Sequence, residues 1–74
     1  MSGEVGSGIQ VTINGEPRSV PQGTSLDGLV ALLGVPEDRV AVEYNKQVVR
    51  RGQWAAVPLA EGDRVEIVQF VGGG

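Results

Sequence analysis

The chain has 74 residues, 41% of them hydrophobic, with twelve glycines, four prolines, one residue each of Trp, Tyr and Phe, and neither cysteine nor histidine. That length allows one small domain with no roomy internal active site. The absent residue types exclude a disulfide framework, a thiol nucleophile, a Cys/His zinc site and a Ser-His-Asp triad, and a formal charge of −3 from six basic and nine acidic residues argues against a nucleic-acid surface.

Residues 1–8, Met-Ser-Gly-Glu-Val-Gly-Ser-Gly, hold too little apolar surface to offset the entropy of ordering and read as a flexible extension. They lack the basic start and apolar centre of a signal peptide, and no apolar run approaches the roughly 20 residues that span a bilayer. A soluble cytoplasmic protein without membrane contacts is expected. From Ile9 the pattern changes. Ile9, Val11 and Ile13 alternate with Gln10 and Thr12, the period of a half-buried strand, and Asn14-Gly15 is a two-residue hairpin turn. Glu16 to Val20 should return antiparallel, with Pro17 favouring a sheet edge.

Thr24 is positioned to cap a helix, with Asp27 in its first turn. Leu26, Leu29, Val30 and Leu33 make one apolar stripe, Gly34 supplies the stop and Pro36 forbids continuation. Gly28 within this helix costs about 1 kcal/mol relative to alanine and, if it faces inward, would permit close approach of another backbone. Val40 to Tyr44 reads as a strand, Asn45-Lys46 as a turn and Gln47 to Val49 as a short return strand. Arg50 to Leu59 reads as a loop or short turn pinned by Trp54, whose indole N–H wants a partner if buried. Glu61-Gly62-Asp63 turns the chain into a last strand, Arg64 to Val71, with Val65 and Ile67 on one face and Val68 and Phe70 on the other.

One helix among several strands predicts an α+β domain over 9–71, in which the helix covers one face of a mixed sheet of four to five strands. The order matches the ubiquitin-like β-grasp, although spacing alone does not fix which strands are neighbours. No catalytic residue or metal site is expected: Glu37, Asp38, Glu61 and Asp63 fall in turns, where acids serve solvation and turn geometry. Arg50-Arg51 is the one adjacent basic pair and reads as a solvated face, or as a steering charge for an acidic partner.

The chemistry that remains lies at residues 72–74, Gly72-Gly73-Gly74, which read as a flexible tail directly after the last strand. Four residues from Val71 extend about 13 Å, far enough to carry a terminal carboxylate into another protein's cleft. Ionised at neutral pH, that carboxylate can attack the α-phosphate of a nucleotide and form an acyl adenylate, which a sulfur or nitrogen nucleophile opens. The plain alternative is a frayed end.

Two segments resemble the ThiS-type sulfur-carrier family of thiamine thiazole synthesis. Asn45 to Trp54 is similar to the family's N-x-x-(V/I)-V-x-R-x-x-W stretch, and Glu61 to Gly74 to its acidic turn, final strand and terminal Gly-Gly. With Thr24-Ser25-Leu26 opening the helix, the likeness covers residues 9–74. It implies a carrier rather than an enzyme, with no bound cofactor. An E1-like adenylating enzyme, using ATP and Mg²⁺, would activate Gly74. A persulfide donor of the cysteine desulfurase or rhodanese type would convert it to a thiocarboxylate, and thiazole synthase would take the sulfur. Gly73 and Gly74 carry over as the functional pair, whereas Gly72 stands where the family does not require glycine. Partners should hold this tail and an exposed patch of the last strand, Val68 and Phe70, on a chain that is monomeric when free. The tail chemistry equally suits carriers for molybdopterin, tRNA thiolation or cysteine synthesis, and a protein modifier joined to lysines. A noncovalent β-grasp interaction module is the alternative of another class.

Overall fold

The structure, a computed structural model, describes residues 8–70. Strand β1, Gly8–Ile13, turns through Asn14 (φ 51°) and Gly15 (φ 85°) into β2, Glu16–Pro21. Two consecutive positive φ angles match the twist of the flanking strands, as this hairpin class requires. The register runs from Ile13↔Glu16 to Gly8↔Pro21. Gly8 is therefore paired, and the strand begins one residue before the Ile9 start expected from alternation. Ile9, Val11 and Ile13 turn inward: Val11 and Ile13 are buried, and Ile9 packs against the core.

Helix α1 spans Leu26–Leu33. Its N-cap is Ser25, in extended conformation, and not Thr24. The shift has a tertiary cause. The Leu26 N–H donates to Val57 O at 3.0 Å and the Leu59 N–H to Thr24 O at 2.9 Å, so residues 24–26 lie extended against 57–59 and the helix starts one residue later. Thr24 instead donates its hydroxyl to Pro21 O at 2.6 Å, closing the preceding turn. Ser25 Oγ donates to Asp27 Oδ1, which also accepts the Gly28 N–H at 2.9 Å. Leu26, Leu29 and Val30 are buried, Leu33 is half-buried, and Gly34 ends the helix at φ 73°. Among the described residues no foreign backbone lies within 4 Å of where a Gly28 Cβ would sit; that Cβ would meet the Thr24 methyl at 3.4 Å.

A short 3-10 turn, Glu37–Arg39, leads into β3, Val40–Tyr44. Asn45 (φ 49°) and Lys46 (φ 75°) form a second turn of the same class, and β4, Gln47–Val49, returns. The stretch read as a loop contains a six-residue 3-10 helix, Arg51–Ala56. Trp54 anchors it, 1% exposed, with its indole N–H donating to Val49 O at 2.9 Å. After the turn at Gly62 (φ 87°), β5 runs Arg64–Gln69; of the expected extension to Val71, Phe70 falls outside the strand and Val71 lies outside the described residues. Phe70 nevertheless stays in the ladder, its N–H donating to Arg39 O at 2.7 Å.

The five strands form one mixed sheet in the order β2-β1-β5-β3-β4. Strand β5 is central, parallel to β1 and antiparallel to β3. With α1 packed across one face, this is the β-grasp arrangement. Trp54, Leu26, Leu29, Val11, Val30, Val42 and Val65 fill the core, each below 2% exposure. No helix is long and apolar enough to cross a membrane among the described residues.

Candidate functional site

The sheet face away from α1 is set by strand parity, since successive side chains point to opposite faces. On β5, Val65 is fully buried, Ile67 half-buried and Val68 59% exposed, and Phe70, the residue after the strand, is 56% exposed. Val68 and Phe70 thus share the outer face, on the strand that leads to the tail. The register places Ala41 opposite Val68 and Glu43 opposite Glu66, and β4 sets Val48 opposite Glu43. Val48 therefore lies on the same face and is 72% exposed. Sequence reasoning missed it. The available signal was parity counted from the Asn45-Lys46 turn: Val49 packs inward, so Val48 faces out.

The start of β5 is fixed by polar contacts around Asp63. Its carboxylate accepts hydrogen bonds from the Tyr44 hydroxyl at 2.6 Å, the Ala60 N–H at 2.8 Å and Asn45 Nδ2 at 3.3 Å. Asn45 Oδ1 in turn accepts the Arg64 N–H at 2.9 Å. Partial desolvation pushes the Asp63 carboxyl upward, but the hydrogen bonds from Tyr44, Ala60 and Asn45 outweigh it and hold it below the ordinary carboxylate value. The bond to Asp63, then burial and the nearby negative charge, raise the Tyr44 hydroxyl above its usual value. Asp63 thus shapes the turn that launches the last strand, the turn-geometry role expected of it.

Further along β5, Asn14 reaches across from the first hairpin. Its Oδ1 accepts the Ile67 N–H at 2.8 Å and its Nδ2 donates to Ile67 O at 3.2 Å. Two polar side chains from two turns, Asn14 and Asn45, therefore hold the strand that carries the patch. Arg50 and Arg51 are exposed. No group of three His, Cys, Asp or Glu side chains able to hold a metal exists among the described residues. Gly72, Gly73 and Gly74, the residues expected to carry the chemistry, lie outside the described residues, as do Val71 and residues 1–7.

A family model described as the ThiS family matches residues 11–74. The chain belongs to the ThiS family. Its match to the model takes in the whole helix and sheet except the start of β1, and continues through the three glycines. Among relatives of this ThiS-family chain, a thiazole synthase from Magnetococcus marinus is 48% identical over 66 residues, covering 89% of the chain and 20% of the synthase. The chain thus spans about a fifth of the length of the thiazole synthases it matches. The sulfur carrier protein ThiS of Escherichia coli is 27% identical over 89% of the chain and 100% of its own length. Among solved structures, the crystal structure of a thiamine biosynthesis protein (ThiS) from Geobacter metallireducens superposes with a TM-score of 0.77 at 33% identity, covering 89% of the chain and 100% of that protein.

Proposed function

We propose that this chain is a sulfur carrier of thiamine biosynthesis, a protein substrate rather than a catalyst, and that sulfur travels on the carboxyl group of Gly74. The observation that carries the reading is the family match, which runs through Gly73 and Gly74. The chemistry follows from the residue types. The Gly74 carboxylate attacks the α-phosphorus of ATP on an E1-like enzyme, Mg²⁺ assisting, and pyrophosphate leaves. The outer sulfur of a persulfide, borne by a cysteine desulfurase or rhodanese-type donor, then displaces AMP. This step forms a C–S bond and gives an acyl disulfide; a second thiol then attacks the donor's own sulfur, cleaving the S–S bond that the persulfide brought, so that the two thiols end as a disulfide and the thiocarboxylate leaves. Glycines suit this passage because they carry no side chain through a narrow channel.

Thiazole synthase is the sulfur acceptor. Supporting this, two proteins of that name contain a segment 48% and 39% identical to this chain within one longer polypeptide, so carrier-like and synthase segments occur together. Val68 and Phe70, with Val48, form the docking patch on the outer sheet face. Three large apolar side chains more than half exposed on one face of a small sheet are a cost to solubility that a partner surface would relieve.

Intact mass spectrometry tests the reading. After incubation with Mg-ATP, a persulfide source and an extract containing adenylating enzymes, the chain should exchange one oxygen for sulfur at Gly74, and a Gly74-deleted chain should not. No exchange in an extract that thiolates a known carrier would overturn it. A noncovalent module would instead bind its partner equally well without Gly74.

A further inference from the structure

The side of β5 that faces β1 is only partly occupied. Backbone parity fixes which groups point there: the Thr12 N–H donates to Asp63 O and the Asn14 N–H to Val65 O, both at 2.9 Å. The backbone N–H and C=O groups of residues 63, 65, 67 and 69 therefore face the β1 lane, while Arg64 and Phe70 bond toward β3. Strand β1 pairs with β5 only at Thr12↔Arg64 and Ile13↔Val65, and then turns away at Asn14-Gly15. At Ile67 the missing strand is replaced by the Asn14 side chain, which satisfies both backbone groups. At Gln69 no strand of the described residues lies alongside. Gln69 is exposed and helps line a groove of about 400 Å³, together with Ile13, Leu33, Val35 and Ile67 and the polar Asn14, Glu16 and Arg18.

The sheet's outer edges contrast with this site. The same parity turns the backbone of Pro17, Ser19 and Pro21 outward on β2, so Ser19 is the one N–H donor among those three and the prolines blunt the edge against strand pairing. Strand β4 at the other edge has three residues. The lane beside Gln69, unpaired among the described residues, adjoins a groove of mixed apolar and polar lining and lies just before the residues that carry the glycines.

We propose that an extended segment of thiazole synthase adds to the sheet in this lane, pairing with the Gln69 backbone and placing an alternate apolar side chain over Ile13, Leu33, Val35 and Ile67. Strand addition supplies affinity through main-chain hydrogen bonds and specificity through side-chain pockets. Here it also fixes the direction in which the chain leaves the globule, aiming the glycines at the acceptor site. The proposal rests on the reading of thiazole synthase as acceptor.

Amide hydrogen exchange resolved at single residues tests it, with purified thiazole synthase from the same organism as the probe. In the free chain the Gln69 amide should exchange rapidly and the Phe70 amide slowly. In the complex the Gln69 amide should slow at least tenfold. Gln69→Pro removes the outward N–H and leaves the β3 ladder, which uses residues 68 and 70, intact; it should weaken the complex by about tenfold. Gln69→Ala keeps the N–H and should bind within about twofold of the unmodified chain. A complex in which the Gln69 amide still exchanges rapidly overturns strand addition alone. No complex with the unmodified chain overturns the acceptor reading and strand addition with it.

Discussion

Replacing Phe70 by alanine separates docking from folding. Phe70 is 56% exposed. A phenylalanine offers about 200 Å², so roughly 110 Å² remains for a partner to cover, and at about 25 cal/mol per Å² full coverage contributes about 2 to 3 kcal/mol. Phe70→Ala should therefore weaken binding to the adenylating enzyme by about 30- to 150-fold. The fold should lose at most about 2 kcal/mol, since only about 90 Å² of the residue is buried and the Phe70 N–H keeps its bond to Arg39 O whatever the side chain. Val65→Ala is the reciprocal control: Val65 is 0% exposed, so its truncation removes two buried methyl groups and leaves a cavity, costing about 2 to 3 kcal/mol with affinity unchanged once folded. Titration calorimetry and urea denaturation read the two quantities independently. A Phe70→Ala chain that binds normally but loses more than about 3 kcal/mol of stability would place Phe70 in the core and refute the assignment of faces.

Asn14→Ala removes both hydrogen bonds to Ile67 and places alanine at φ 51°, so urea denaturation should show a loss of about 2 to 3 kcal/mol; Asn14→Gly, free of the backbone penalty, should lose less. Asp63 has a folded-state pKa below the unfolded value near 3.8, so its contribution is present above that value and lost as pH falls through the lower one; Asp63→Asn should flatten this acid limb in denaturation curves taken across pH. Tyr44 has the opposite sign, its folded pKa lying above 10.0, so its contribution is present below that pH and lost as pH rises through the folded value, a limb that Tyr44→Phe should remove. Gly28→Ala should stabilise the helix by about 0.5 to 1 kcal/mol, measured as a raised denaturation midpoint, because the added methyl meets the Thr24 methyl at 3.4 Å.

The amino-acid sequence by itself determined the order of elements, the turn positions and the face of each apolar residue on β5. These are local properties. A period of two places Val65 and Ile67 opposite Val68 and Phe70, a period near 3.6 gathers Leu26, Leu29 and Val30, and the Asn-Gly and Asn-Lys pairs sit where positive φ angles recur. The chemistry proposed for the glycines rests on residue type alone, and those residues lie outside the described ones. Only the tertiary structure decided that β5 lies between β1 and β3, since pairs such as Ile13↔Val65 join residues about 50 positions apart and no local period encodes them. It also moved the helix cap from Thr24 to Ser25, through bonds to Val57 and Leu59 that form after the chain has closed on itself. Val48 joined Val68 on the outer face through two successive registers, β4 to β3 and β3 to β5. The open side of Gln69 exists because β1 stops where its hairpin turns, and the length of one strand beside another is set by their packing together.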